Sequence, residues 1–279
     1  MQISIVIPVY NEAERLAACL DAIAAQTVMP LEVIVVDNNS TDRSAAIARR
    51  YSFVRLLSEP RQGVVYARDR GFNAARAGII GRIDADSILP ETWVADVLAI
   101  FAEHEVDAIS GSALYHDAPP LPIAARIDGW TRDWMTFSLA DRTYLWGANM
   151  ALRRSAWCGV RQNVCHQAGL HEDFDLAIHL QDAGYSVGYA PALRVSVSAR
   201  RIDADFLDFA RYTLVGPATY RHHGLRRGAY LYPVLLATWA TYLPSRVLYR
   251  GFDAASGRFS LQKALVPTEA RVDPTTHRL

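Results

Sequence analysis

The stretch RIDAD occurs twice, at residues 82–86 and 201–205. Two carboxylates separated by one residue offer hard oxygen ligands to a divalent cation. The same pair also suits the first turn of a helix, where negative charge offsets the dipole. Context separates the copies. Asp84 and Asp86 follow the apolar run AGIIGRI and precede a helical pattern. That predicts them at the carboxyl end of a strand, where open α/β sheets bind ligands. Asp203 and Asp205 run from SARR into FLDFARY and are predicted to open a helix, a structural role. Three more stretches fall at the same sheet edge: PVYNE (8–12), DNNSTD (37–42) and RQGVVYARDRG (61–71). Asp37 ends an apolar run and can accept from a base N–H or a ribose hydroxyl, or simply form a turn. Arg68 can reach the same base or a phosphate, or lie on a helix surface. Glu172 and Asp173, in HEDFDLAIHL, read alone as negative charge at a helix N-terminus. Cys158, Cys165, His166 and His171 match no paired-ligand zinc spacing, so buried thiols and ordinary histidines are expected there.

The elements that must position these residues alternate through the first half. Strand-like runs at 3–9, 32–37, 53–57 and 79–84 are separated by helical patterns at 12–26, 42–51, 64–76 and 91–103. Asn11 is expected to cap the first helix, with Glu14 three residues later, and Ser40 the second. This rhythm predicts βαβ units, and hence a mostly parallel, Rossmann-like central sheet with helices on both faces. Beyond residue 105 it changes. Strands are expected at 107–114, 144–152, 185–189 and 193–197, and a helix at 172–182. APPLP (118–122) marks a turn before a segment holding Trp130, Trp134 and Phe137. From 203 to about 250 the pattern is helical, and 253–279 is polar, turn-rich and expected to be loose.

Composition narrows the classes. The chain has 279 residues, 51% of them hydrophobic, with 29 basic and 29 acidic side chains. No global field therefore points to nucleic acid. Lys263 is the only lysine, so arginine is expected to make any charged contact to phosphate. Three cysteines, Cys19, Cys158 and Cys165, suit a reducing compartment rather than a disulfide framework. Met1 runs straight into ISIVIPVY, which reads as a strand rather than a signal peptide. The longest uncharged run, 229–245, is interrupted by Pro233 and Pro244 and falls short of a membrane span. The expected location is the cytoplasm.

IVIPVYNE, VVDNNSTD, ARDRGFNAA, RIDADS, GANMALRR and HEDFDLAIHL appear in an order that resembles glycosyltransferase family 2 over about residues 1–200. The resemblance implies a GT-A fold and a metal-dependent inverting enzyme. Such an enzyme moves one sugar from a nucleotide-diphosphate sugar, by family habit UDP-linked, to an acceptor hydroxyl. By position, Pro8, Tyr10 and Glu12 would line the nucleotide pocket, Asp37 and Arg68 would hold the base, and Asp84 would face the ribose. Asp86, with Asp84, would bind Mg²⁺ or Mn²⁺. Asp173 matches the general base, with Glu172 beside it, and Gly147 and Asn149 match the loop by the sugar pocket. The implied division is a catalytic domain at 1–200, with a nucleotide-sugar half to about 105 and an acceptor half from 106. A helical extension follows at 201–252, then a tail at 253–279.

Two features depart from the family pattern. The histidine that completes the metal site in many relatives is replaced by serines in VSVSARR (195–201), leaving His222 or His223 as substitutes. The Gln-x-x-Arg-Trp signature of processive synthases is missing, so transfer of a single sugar is expected. Residues 211–250 hold six arginines and no acid, interleaved with aromatic and aliphatic residues. That mix suits the inner face of an anionic membrane, with Trp130, Trp134 and Trp146 on that face or in the acceptor site. A membrane lipid or envelope glycan then becomes a natural acceptor. The alternative for residues 211–250 is a helical appendage packed on the catalytic domain, its arginines solvated or gripping the diphosphate. Two other functions compete with glycosyl transfer: a sugar nucleotidyltransferase, whose glycine-rich, lysine-bearing loop PVYNEAERL does not supply, and an inactive scaffold that keeps the fold.

Overall fold

A computed structural model describes residues 1–119, 134, 143–254 and 256–264. Trp130, Phe137 and most of the expected tail lie outside these residues. The first half follows the predicted alternation: β1 (Ile3–Val9), α1 (Leu16–Ala24), β2 (Glu32–Asp37), α2 (Ser44–Ala48), β3 (Val54–Ser58), α3 (Val64–Ala74), β4 (Ile79–Arg82) and α4 (Trp93–Glu103). The second half supplies β5 (Ala108–Tyr115), β6 (Met150–Arg153), α5 (Arg154–Val160), α6 (Glu172–Asp182) and β7 (Val187–Val197). The helices α7 (Phe206–His222), α8 (Tyr232–Ala240) and α9 (Tyr242–Gly251) follow.

The seven strands form one sheet in the order β3-β2-β1-β4-β6-β5-β7. Strands β1 to β4 pair in parallel, β6 runs antiparallel between β4 and β5, and β5 pairs in parallel with β7. The winding runs outward from β1 to β3, then returns to place β4 on the other side of β1. That reversal opens a crevice between the loops that leave β1 and β4, the place where open α/β sheets bind ligands.

Both faces of the sheet are covered, which explains the unbroken apolar runs. On one face Ile3, Ile5 and Ile7 of β1 pack with Leu16 and Leu20 of α1 and with Trp93 and Phe101 of α4. On the other, Val6, Ile34 and Val36 pack with Phe72 of α3, Trp157 of α5 and Leu176 of α6. Alternate residues of β1 thus feed opposite cores, as the pleat requires.

Three local expectations are corrected. Asn11 does not cap α1: it adopts φ 54°, and its Oδ1 accepts from Thr41 N at 2.8 Å. The helix therefore begins at Leu16. Ser40 does not cap α2 either. Its Oγ accepts from Asn11 N at 3.1 Å, while Asp42 Oδ1 accepts from Ser44 N at 2.8 Å. Tertiary clasps between the loops after β1 and β2 take over the groups that local capping would have used. Finally, the two short strands expected at 185–197 are one strand, β7. The register slips opposite Gly111 and Ser112, from Ala190 to Arg194, and this bulge accommodates Pro191 without ending the pairing.

The second RIDAD copy does open a helix. Asp205 Oδ1 accepts from Leu207 N at 2.8 Å and Asp208 N at 3.1 Å, capping α7. Asp203 pairs with Arg250 and lies 3.6 Å from Arg246. Among the described residues no helix is long and apolar enough to cross a membrane.

Candidate active site

The carboxyl ends of β1 and β4 open into a cleft of about 1280 Å³. At its base lies Arg82, the last residue of β4, a strand buried along its whole length. A charge so placed needs partners, and it has three carboxylates. Arg82 Nη1 donates to Asp173 Oδ1, and Nη2 lies 3.0 Å from Glu172 Oε1 and 3.4 Å from Asp84 Oδ1. Gly147 N donates to Asp173 Oδ2 at 2.7 Å. Gly147 has to be a glycine, because a Cβ there would lie 2.1 Å from Arg82 Nη1.

Glu172 and Asp173 are the first two residues of α6, whose start is fixed from two sides. Arg68 Nη1 donates to the Glu172 carbonyl at 2.6 Å, and His171 N donates to Thr219 Oγ1 of α7 at 2.8 Å. The His171 ring stacks on Phe174 with centroids 4.3 Å apart, and its Nδ1 lies 4.0 Å from both Glu172 Oε2 and Asp173 Oδ2. The two adjacent carboxylates titrate in opposite directions. Burial raises Asp173 to about 6; the Arg82 charge opposes this and the Glu172 charge adds to it. Burial also acts to raise Glu172, but Arg82, His171 and Arg68 outweigh it and hold that carboxyl below its usual range. Arg82 is desolvated too, yet its carboxylates win and raise its pKa, so it stays charged.

A second cluster stands across the cleft. Arg200, in the helical turn Arg200–Asp203 after β7, donates through Nη2 to Glu12 Oε1. The same nitrogen lies 3.0 Å from Asp86 Oδ2. Asp86 is buried, whereas the Asp84 side chain is 45% exposed. Together the two clusters set five carboxylates against two guanidiniums. That excess of negative charge on hard oxygen donors fits a divalent ion.

A family model described as glycosyl transferase family 2 matches residues 4–167. The chain belongs to this family. Glycosyltransferase AglE of Haloferax volcanii is 29% identical over 202 residues, covering 67% of this chain and 64% of that protein. The O-antigen chain rhamnosyltransferase RfbN of Salmonella typhimurium is 26% identical over 201 residues, 68% of this chain and 64% of that one. The match therefore spans just under two thirds of the length of either relative. Among solved structures, mannosyltransferase PcManGT from Pyrobaculum calidifontis, in complex with GDP-Man and Mn²⁺, superposes with a TM-score of 0.58. It is 22% identical, and the alignment covers 94% of this chain and 77% of that one. At this identity the likeness establishes the fold.

Of the family 2 residues expected from the sequence, Pro8, Tyr10, Glu12, Asp84, Asp86, Gly147, Glu172 and Asp173 all line the cleft. Three others do not. Arg68 is fully buried: its Nε and Nη2 donate to Asp69 Oδ1 at 2.9 and 2.8 Å, and it holds α6 rather than reaching a base. Asn149 is also fully buried. It accepts from Trp93 Nε1 at 2.9 Å and donates to the carbonyls of Ser112 and Leu193, tying β5 to β7. Asp37 Oδ1 accepts from Ser40 N at 3.2 Å, a turn contact, and its neighbour Asn38 lines the cleft instead. His222 and His223 lie at the end of α7 and do not line the cleft, so neither completes the site around Asp84 and Asp86. Among the described cysteines, Cys158 is exposed and all three are free thiols.

Sequence reasoning missed Arg82, Arg200 and His171. Arg82 did carry a signal: an arginine closing the apolar run AGIIGR has no solvent to face and must find acids. Arg200 stands in the segment where a histidine was sought, but only the fold brings it to Asp86.

Proposed function

We propose that this family 2 protein transfers a single sugar from a nucleotide-diphosphate sugar to an acceptor hydroxyl by direct displacement with inversion. The observation that carries the reading is the contact of Arg82 with Asp173, Glu172 and Asp84, which sets a buried base beside one of the donor carboxylates at one rim. Asp173 takes the proton of the attacking hydroxyl. Its two oxygens each hold one hydrogen bond and keep a further lone pair for the acceptor, and a pKa raised to about 6 brings it close to working pH. Arg82 orients Asp173 and keeps Glu172 ionised. Pro8, Tyr10 and Asn38 frame the nucleotide. Asp84 and Asp86 would hold Mg²⁺ or Mn²⁺, which when bound would neutralise the charge that grows on the departing diphosphate. Arg200 is a resident cation on Asp86 and Glu12, positioned to share that load.

On this reading residues 1–105 carry the donor site, 106–200 the acceptor half, and 201–252 an extension that presents the acceptor. The donor is UDP-linked in our reading; the GDP-Man held by the Pyrobaculum neighbour makes guanosine donors the first comparison. A lipid-linked envelope glycan as acceptor is supported by the O-antigen role of the Salmonella relative. Exposed Leu236 and Leu243 in the extension, with basic Arg221 and Arg226 nearby in sequence, support contact with an anionic membrane surface.

The test is turnover of a panel of UDP- and GDP-sugars with Mn²⁺, with Mg²⁺ and with chelator, reading the anomeric configuration of the product by NMR. Inverted product that requires metal is expected. Absence of turnover with every donor would favour the inactive scaffold, and retention of configuration would remove Asp173 as base. Leu236→Glu together with Leu243→Glu should weaken co-sedimentation with anionic vesicles; equal partitioning would refute membrane contact.

A further inference from the structure

The floor of the extension carries a cluster that the transfer reaction does not use. Cys165 comes from the loop before α6, Asp175 and His179 from successive turns of α6, and His223 from the end of α7. One ligand atom from each lies within 4.8 Å of the other three. Cys165 Sγ is 3.7 Å from His179 Nε2, and Asp175 Oδ1 is 3.4 Å from His179 Nε2 and 2.8 Å from His223 Nε2. None of the four lines the cleft.

We propose that Cys165, Asp175, His179 and His223 form a closed, structural zinc site that fastens α7 to α6.

The geometry supports tetrahedral ligation. Zinc holds sulfur at about 2.3 Å and nitrogen or oxygen at about 2.0–2.2 Å, which separates neighbouring ligand atoms by roughly 3.3–3.6 Å. Two of the measured separations already fall near that range. The third is a hydrogen bond between Asp175 and His223 that opens by roughly 0.5 Å when an ion replaces the proton. Asp175 and His179 are four residues apart, so they share one face of the helix. The outer contact is present too: Cys165 N donates to Asp175 Oδ2 at 2.9 Å, fixing the carboxylate and the thiol relative to each other. The Asp175 side chain is wholly buried, with His223 12% and His179 17% exposed, so the site is sheltered yet reachable. A thiolate with two imidazoles is a borderline-soft set that selects zinc over the magnesium or manganese suited to Asp84 and Asp86. Four protein ligands leave no open position, the mark of a structural rather than a catalytic ion.

The position gives the ion a consequence. Asp175 lies two residues after Asp173 on α6, and α7 supplies Thr219, which accepts from His171 N. Zinc would therefore hold the base helix and the extension in one register. The sequence conceals the set: Cys158, His166 and His171 stand near Cys165 along the chain, yet none of them belongs to the cluster.

The test uses the full-length chain purified without chelator. About one zinc per chain is expected by elemental mass spectrometry, retained in Asp86→Asn, whose lesion lies in the cleft. Cys165→Ser and His223→Gln should each weaken zinc binding by at least the ~10–100-fold that even an outer-shell partner carries. Cobalt added to metal-free wild type should produce a near-ultraviolet thiolate charge-transfer band with tetrahedral visible bands. Cys165→Ser should lose the charge-transfer band. Folding of each variant is checked by circular dichroism, and the wild-type cobalt spectrum decides the matter even if a variant does not fold. Folded wild type that binds neither zinc nor cobalt through sulfur would overturn the site and leave a hydrogen-bonded cluster. Undiminished zinc in both variants would also overturn it, by placing the ion elsewhere.

Discussion

Gly147→Ala isolates the central device of the cleft. The backbone at Gly147 is not left-handed, so alanine is conformationally acceptable there and would by itself stabilise the chain by about 0.4–1 kcal/mol through the unfolded state. The obstacle is steric. The new Cβ would lie 2.1 Å from Arg82 Nη1 and 2.2 Å from Cζ, so the guanidinium must retreat roughly 1.4 Å to reach ordinary contact. A shift of that size disturbs its contacts with Asp173 and Glu172. Breaking a buried charge pair costs about 3–5 kcal/mol, leaving a net loss of about 2–4 kcal/mol. In thermal unfolding that is a drop in Tm of about 4–16 °C for a chain of this size. The control is Gly78→Ala, just before β4, where an added Cβ meets nothing within 4 Å. Asp173, relieved of its cation, should also titrate higher, so any transfer activity should lose its low-pH range first. Equal stability of the two alanine variants, with an unchanged pH profile, would refute the view that Arg82 is clamped and clamps in turn.

Four further outcomes are expected. Asp173→Asn should keep nucleotide-sugar affinity while turnover falls by a factor of about 10²–10⁴. Wild-type turnover should fall about tenfold per pH unit below about pH 6, because only the ionised Asp173 accepts a proton; a flat acid limb in steady-state rates would count against the base. Arg200→Ala should tighten Mn²⁺ binding in the absence of nucleotide by about tenfold or more, since a charged hydrogen bond of about 1.5–3 kcal/mol no longer competes for Asp86. Unchanged or weaker binding by calorimetry would place the metal elsewhere. Asp205→Ala removes the cap of α7 and should cost about 1 kcal/mol in urea unfolding, with no effect on donor affinity; a change within error would deny the cap its role.

The sequence by itself determined the sheet and its reactive edge. Apolar runs and period-3.6 patterns are local, so β1 to β4 and their helices could be read from residue types alone, and with them the positions of Asp84 and Asp86; Glu172 and Asp173 were legible alone as a helix start and joined the site only through the family resemblance. The second RIDAD copy was legible for the same reason, because Asp205 meets its partners within three residues. Tertiary structure alone decided which charges meet. Asp37 and Arg68 looked like ligand contacts because each stands near the edge, and Asn149 because it matches the family's loop by the sugar pocket. Arg68 is instead spent on the adjacent Asp69 and the distant Glu172 carbonyl, Asn149 on the carbonyls of Ser112 and Leu193, and Asp37 on a turn. Arg82 reaches Asp173 across 91 positions and Arg200 reaches Glu12 across 188. Cys165 gains His223 as a neighbour only because α7 folds back onto α6. Electrostatic pairing depends on distance in space, which no local pattern encodes; hence the carboxylates were visible in advance and their cations were not.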